Sequence, residues 1–296
     1  MSLETAGLDR APTPRWVKGY RTPAHELGAH WLGQMMVFVG ICAILLPISW
    51  IAITAFKTPR DVYSLSASLL FVPTLDNLRT VFEHPWNLGS KIVNSFAVAL
   101  GTVCLAIPMA SLAAYAFSRF EFLYKQALFL AVIASQFIPA AVVVLPYFLM
   151  FKEVGLLDTR SALVLVNMSI VLPYAVWMMK GFIDAVPLEI EESAMVDGAS
   201  RARVIAEIVL PAALPGIITA AVFSFTLTWN EFLFALIISK QDALTLPIGL
   251  IGFRTERGDL WELMAAGGIL ITAPMFIISL LVQKQFVRSL TAGSVR

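Results

Sequence analysis

The amino-acid sequence predicts an all-α membrane protein with six transmembrane helices. Only 14% of its 296 residues are charged, 58% are hydrophobic and the mean hydropathy is +0.80. Soluble domains carry about 25% charged residues, so the chain has too little charge to cover a water-facing surface. Its charge-free stretches point the same way: Trp31–Phe56, Ile92–Ser118, Gln126–Phe151, Ser161–Met179, Ile208–Asn230 and Leu263–Gln283. Each has close to or more than the roughly 20 apolar residues that a spanning helix needs. The next longest, Val62–Leu75, holds serines and a proline and suits an interfacial or loop segment.

In chain order, the first stretch follows a mostly polar arm, residues 1–30, with no small-residue cleavage pattern after it, so it is expected to be retained as a span. Ala106, Ala110 and Ala114 repeat at four-residue spacing in the second, a pattern that lets helix backbones approach closely. The third contains Gln136, Pro139 and Pro146. In the fourth, Asn167, Tyr174 and Met178 share a face with Trp177 alongside. The fifth is expected to run on to about Ser239, which puts Glu231 roughly 25 Å along it at about 1.5 Å per residue. Prolines at 47, 108, 173 and 274 fall inside other spans, where neighbours can satisfy freed carbonyls. An even number of spans puts both termini on one side. Lys and Arg flanking that side, including Arg10, Arg15, Lys18 and Arg21 of the arm, favour the cytoplasm.

Several classes drop out. A formal net charge of +1 implies no attraction to nucleic acid. Cys42 and Cys104 lie in apolar runs and act as small hydrophobes. The three histidines, His25, His30 and His84, fall outside the spans, and no metalloprotease, serine-hydrolase or phosphate-binding-loop motif occurs. No catalytic residue, metal site or cofactor is expected on this chain.

The densest charge lies in the loop 184–212. Pro187 suits a helix start, Glu189, Glu191 and Glu192 suit its positive N-terminal end, and Gly198 suits its C-terminal cap. Ser200 then caps a second short helix whose apolar positions are Val204, Ile205, Ile208 and Val209, with Pro211 as a boundary. Such a hairpin must cover its apolar stripe with its own bundle, the headgroup layer or a soluble partner.

Glu192, Ser193, Ala194, Asp197, Gly198, Ile208, Leu210 and Pro211 stand at the spacing of the cytoplasmic EAA loop, and in these residues the sequence resembles the permease subunits of binding-protein-dependent ABC importers. Ser193 stands where alanine is usual. The ending Gln285–Arg296 is similar to the tail of carbohydrate-importer permeases, the shorter permease of the maltose system above all, and Trp229-Asn230-Glu231-Phe232 recurs in the same class. The resemblance covers roughly residues 31–296. It implies a type I ABC importer permease fold, with a permease domain at 31–290 and a cytoplasmic tail at 291–296 in which Thr291, Ala292 and Gly293 are contact residues.

It further implies that the loop docks in a cleft of a separate ATPase. Glu192 and Asp197 would make the polar contact, Ala194 would allow close approach and Gly198 the turn. Implied partners are a second permease, two ATPase subunits carrying ATP and Mg, and an extracytoplasmic solute-binding protein, assembled in the lipid of a prokaryotic inner membrane. The cargo would be a sugar, oligosaccharide or polyol, with glycerol phosphate esters as an alternative; an ion-coupled secondary transporter is the rival class. Asn94, Gln136, Asn167, Tyr174, Thr226, Trp229, Asn230 and Glu231 are candidates to line the path. For any one of them, hydrogen bonding to a neighbouring helix is the favoured alternative.

Overall fold

The computed structural model describes residues 24–64 and 71–292, without the side chains of 24–30, 32 and 284–292. The chain divides into two units, residues 1–50 and 51–296. Most of helix α1 (Ala24–Thr54) belongs to the first. Every side chain from 33 to 50 is exposed, and the apolar stretch Gly33–Thr54 is long enough to cross a bilayer. The helix starts seven residues before Trp31, and Ala24, Glu26, Leu27 and Ala29 are good helix formers that suit this extension.

The second unit opens with α2 (Pro59–Val62), capped by Thr58, whose hydroxyl accepts the Asp61 N–H at 3.3 Å, and α3 (Asp76–Thr80). Next come α4 (Leu88–Arg119), α5 (Lys125–Ala134) ending in a 3₁₀ turn at Ser135–Phe137, α6 (Ala140–Glu153) and α7 (Arg160–Asp184). The hairpin follows as α8 (Leu188–Val196) and α9 (Arg201–Val204), the latter continuing through a π turn, Ile205–Val209, into α10 (Leu210–Ala212). Helices α11 (Leu214–Trp229), α12 (Leu233–Ile238) and α13 (Leu246–Ile251) lead to a two-residue antiparallel hairpin, β1 (Arg254–Thr255) and β2 (Gly258–Asp259). Helix α14 (Trp261–Ala292) closes the chain.

The core of this unit is built on α4 against α7. Ala106, Ala110 and Ala114 are fully buried, so the alanine spacing marks a real seam. Beside it α11 crosses α7 closely: a Cβ at Gly216 would fall 2.2 Å from Cγ of Phe182, a space only glycine leaves free.

Among the described residues, four helical segments are long and apolar enough to span a membrane, and two further pairs make six if each is counted as one bent span. The departure from six continuous helices is at those pairs. The third stretch breaks by 94° between α5 and α6, where Pro139 cannot donate a helical hydrogen bond. The fifth does not run on to Ser239. It stops at Trp229, and a new helix begins at Leu233 because the Glu231 carboxylate accepts the N–H groups of Phe234 and Ala235, at 2.7 and 3.1 Å. Nor does Pro211 end its helix: the 75° bend into α11 comes two residues later, at Ala213.

A tied coupling loop and a membrane cavity

Local chemistry shapes the hairpin. Pro187 is the N-cap of α8 rather than its first helical residue, with Glu189 and Glu191 in the first turn. The turn is a Schellman cap. Gly198 holds φ at +89°, its N–H reaches Met195 O at 3.1 Å, and the Ala199 N–H reaches Ala194 O at 3.0 Å. Ser200 then caps α9 by accepting the Arg203 N–H. Glu192, Ser193, Asp197, Gly198 and Pro211 are exposed, and Val196 is 87% exposed. Ala194, Ile208 and Leu210 are half-buried, Ala194 packing on the α4–α7 core together with the buried Val204 and Val209.

The loop is fastened to the bundle by Glu191, expected from the sequence only as an acidic residue at a helix start, and by Arg119 and Tyr115, which the sequence pattern did not single out. Glu191 is 1% exposed. Its Oε1 accepts from Arg119 Nε at 2.7 Å and its Oε2 from the Tyr115 hydroxyl at 3.0 Å. Arg119 Nη2 also donates to the carbonyls of Ile183 and Val186, at 2.9 and 2.7 Å, at the end of α7. One guanidinium therefore joins the ends of α4 and α7 to α8. A second contact lies beside it, the Arg201 guanidinium resting 4.8 Å from the centre of the Phe120 ring.

At the break between α5 and α6 lies a cavity of about 420 Å³. Its walls include Ser135, Gln136 and Pro139 of the break, Tyr147 of α6, Ser169 and Tyr174 of α7, and Leu227 and Phe234, which flank the break between α11 and α12. Gln136 and Tyr174, two of the expected path residues, meet here with Tyr147, which sequence spacing did not point to.

The other expected path residues lie elsewhere. Asn94 is buried, donating to the carbonyls of Asp242 and Leu244 at 2.8 and 2.9 Å and accepting from Arg160 at 2.8 Å. Asn167 is buried and donates to Leu163 O in its own helix. Thr226 donates to Val222 O, and Asn230, which is exposed, to Thr226 O. Trp229 is 1% exposed, donates to Ile271 O at 3.1 Å and stacks on Phe225. Among the described residues no cluster of His, Cys, Asp and Glu is placed to hold a metal. Gly293 and the side chains of Thr291 and Ala292 lie outside the described residues.

At the end of the molecule that carries Asn94, a further clamp holds the segment between α12 and α13. The Asp158 carboxylate accepts the backbone N–H groups of Lys240, Gln241, Asp242 and Ala243 at 2.8–3.1 Å. Burial pushes this carboxyl up, but the four N–H groups outweigh it and hold it below the usual carboxylate value.

A bundle of broken and unbroken apolar helices with a tied surface hairpin defines a polytopic helical membrane protein, and comparison with known proteins gives its family. Residues 106–292 match the family described as binding-protein-dependent transport system inner membrane component. The chain belongs to that family and is a multi-span protein of the bacterial inner membrane. A probable ABC transporter permease of Sinorhizobium fredii is 33% identical over 85% of this chain and 90% of its own length. The diacetylchitobiose uptake system permease DasC of Streptomyces coelicolor is 31% identical over 88% and 94%. The trehalose transport system permease SugB of Mycobacterium tuberculosis is 31% identical over 85% and 92%. A bacterial ABC transporter for import of the acidic polysaccharide alginate shares the fold with TM-score 0.76 over 90% of this chain and 99% of its own, at 16% identity.

Proposed function

We propose that this chain is the permease subunit of an ATP-driven importer for a sugar, oligosaccharide or polyol, and that the hairpin 188–211 couples it to a separate ATPase. The observation that carries this reading is the buried tie of Arg119 to Glu191 beneath an exposed α8 face. A hairpin that only covered its own bundle would have no need to present Glu192, Ser193, Val196 and Asp197 outward while being clamped from below. Held in this way, the hairpin is a lever. When two ATPase subunits close on ATP and Mg, their movement of α8 passes through Arg119 to α4 and α7, and the bundle changes the side to which its cavity opens. Rigidity between loop and bundle is the physical requirement, because a loop that yielded would dissipate the motion.

In this reading the hairpin and both termini face the cytoplasm. A second permease completes the membrane unit and an extracytoplasmic solute-binding protein delivers the cargo. The carbohydrate class is supported by relatives named for diacetylchitobiose and trehalose. Family membership sets aside the ion-coupled alternative. The test is purification in mild detergent with the neighbouring gene products. The chain brings down a second permease and an ATPase pair; a monodisperse single chain that performs ion-driven uptake would contradict the proposal.

A further inference from the structure

We infer that the cavity at the α5–α6 break is a subsite for one uncharged pyranose ring, contributed to the translocation path by this chain itself. The inference rests on the carbohydrate reading above and adds to it a site and a charge class. The break at 135–139 sits in the middle of the charge-free stretch 126–151. Non-helical backbone at that depth is tolerated only where it is buried in protein or lines a water-filled space, because lipid leaves its polar groups unsatisfied. Here it lines the cavity, and so do the flanks of the second break, between α11 and α12. Two interruptions of apolar helices facing one space fit an aqueous path through the bundle.

The lining then gives the ligand class. The side-chain amide of Gln136 and the hydroxyls of Tyr147 and Tyr174 make no hydrogen bond to protein among the described residues. The hydroxyls of Ser135 and Ser169 donate to Val132 O and Val166 O, each at 2.7 Å, and keep their lone pairs free to accept. Donors and acceptors of this kind match sugar hydroxyls. Both tyrosine rings are braced edge-on, Tyr147 by Phe234 at 5.9 Å and Tyr174 by Phe223 at 5.8 Å, which fixes flat apolar faces for the C–H face of a ring. The 420 Å³ volume lies at the small end of the range of about 300–1,000 Å³ for small-molecule sites. Among the described residues, no Asp, Glu, Lys, Arg or His lines the cavity. A phosphate ester or uronic acid would leave its charge unpaired there, which is costly; a neutral ring would not.

The test uses the assembled importer in proteoliposomes with its binding protein, and Cys42→Ala with Cys104→Ala as background. The thiol of Gln136→Cys reacts with the impermeant reagent MTSES in the nucleotide-free or the ATP-bound complex; no reaction in either state overturns the aqueous cavity. With trehalose and diacetylchitobiose as neutral probes, Tyr174→Ala that still co-purifies with its partners lowers uptake about tenfold, the equivalent of losing one good aromatic contact. Tyr174→Phe, which keeps the ring, lowers it less. Uptake at the wild-type rate in Tyr174→Ala overturns the subsite, and faster wild-type uptake of a glucuronic-acid disaccharide than of either neutral sugar overturns the charge class. A wild-type complex that imports none of the three overturns the disaccharide cargo on which the pyranose subsite rests, whereas the MTSES result depends only on water in the cavity.

Discussion

Arg119 and Glu191 form a nearly buried ion pair at 2.7 Å, the arginine 11% and the glutamate 1% exposed, joining the end of helix α4 to the surface hairpin. Tyr115 and the carbonyls of Ile183 and Val186 complete the set of partners. Removing one member leaves the other buried and unpaired, which costs about 3–5 kcal/mol for a buried pair. Glu191→Ala should therefore lower the thermal midpoint of the detergent-solubilised protein strongly. Tyr115→Phe, which removes one hydrogen bond of the set, should cost about 1 kcal/mol. A melt series that ranks the two in the opposite order would deny the pair its role.

Gly198 sits at φ +89°, in the Schellman turn between α8 and α9. A side chain there is strained by about 1–2 kcal/mol on backbone grounds, although the surrounding space is open. Gly198→Val should abolish uptake while the protein still inserts in the membrane, measured as transport against the amount of membrane-extracted protein. Unchanged uptake would remove the hairpin from the coupling path.

Close approach at the α7–α11 crossing predicts a packing effect of a different kind. Gly216→Ala puts a methyl group on the Phe182 ring, and overpacking of this sort costs about 1–3 kcal/mol. The variant should be less stable than wild type. Phe182→Ala removes the Cγ and Cδ2 atoms that the methyl group meets, so Gly216→Ala should cost less in that background than in wild type, and an equal cost in both would place the strain elsewhere.

Asp158 gives a pH dependence. Its folded carboxyl titrates below its ordinary value of 3.8, so the stability it contributes is complete above that value and is lost as pH falls through the lower, folded one. Its carboxylate is partly exposed, which limits the contribution to about 1 kcal/mol. Asp158→Asn suits the left-handed backbone at this position, φ +59°. It should be less stable than wild type at neutral pH, with the gap closing in acid. A gap that widens in acid would reverse the sign and refute the clamp.

Local signals account for what could be read in the sequence. The hairpin was legible because caps are short-range: Pro187, Gly198 and Ser200 each act within a few residues, and the structure shifts only the helix ends by a residue or two. The alanine seam of α4 was legible from its spacing for the same reason. Charge-free length, by contrast, reports how much chain is apolar and nothing about whether it is one helix. The break after Trp229 depends on one carboxylate turning back to cap the next turn, and the position of Glu231 in the sequence gives no sign of that choice. The tie between Arg119 and Glu191 spans 72 residues, so no periodicity connects them. In the sequence Gln136 and Tyr174 stand out only by their own chemistry; the bend of 94° brings them to one wall with Tyr147.

Uptake per ATP hydrolysed by the reconstituted importer, compared between wild type and Glu191→Gln, tests the lever most directly. Glutamine keeps the size of the side chain and an acceptor for Tyr115 but gives up the charge that holds Arg119. With assembly verified by co-purification, the account predicts ATP hydrolysis that continues while uptake per ATP falls about tenfold, the effect of about 1.4 kcal/mol lost from the coupled step. An unchanged ratio in a stably assembled variant would contradict it.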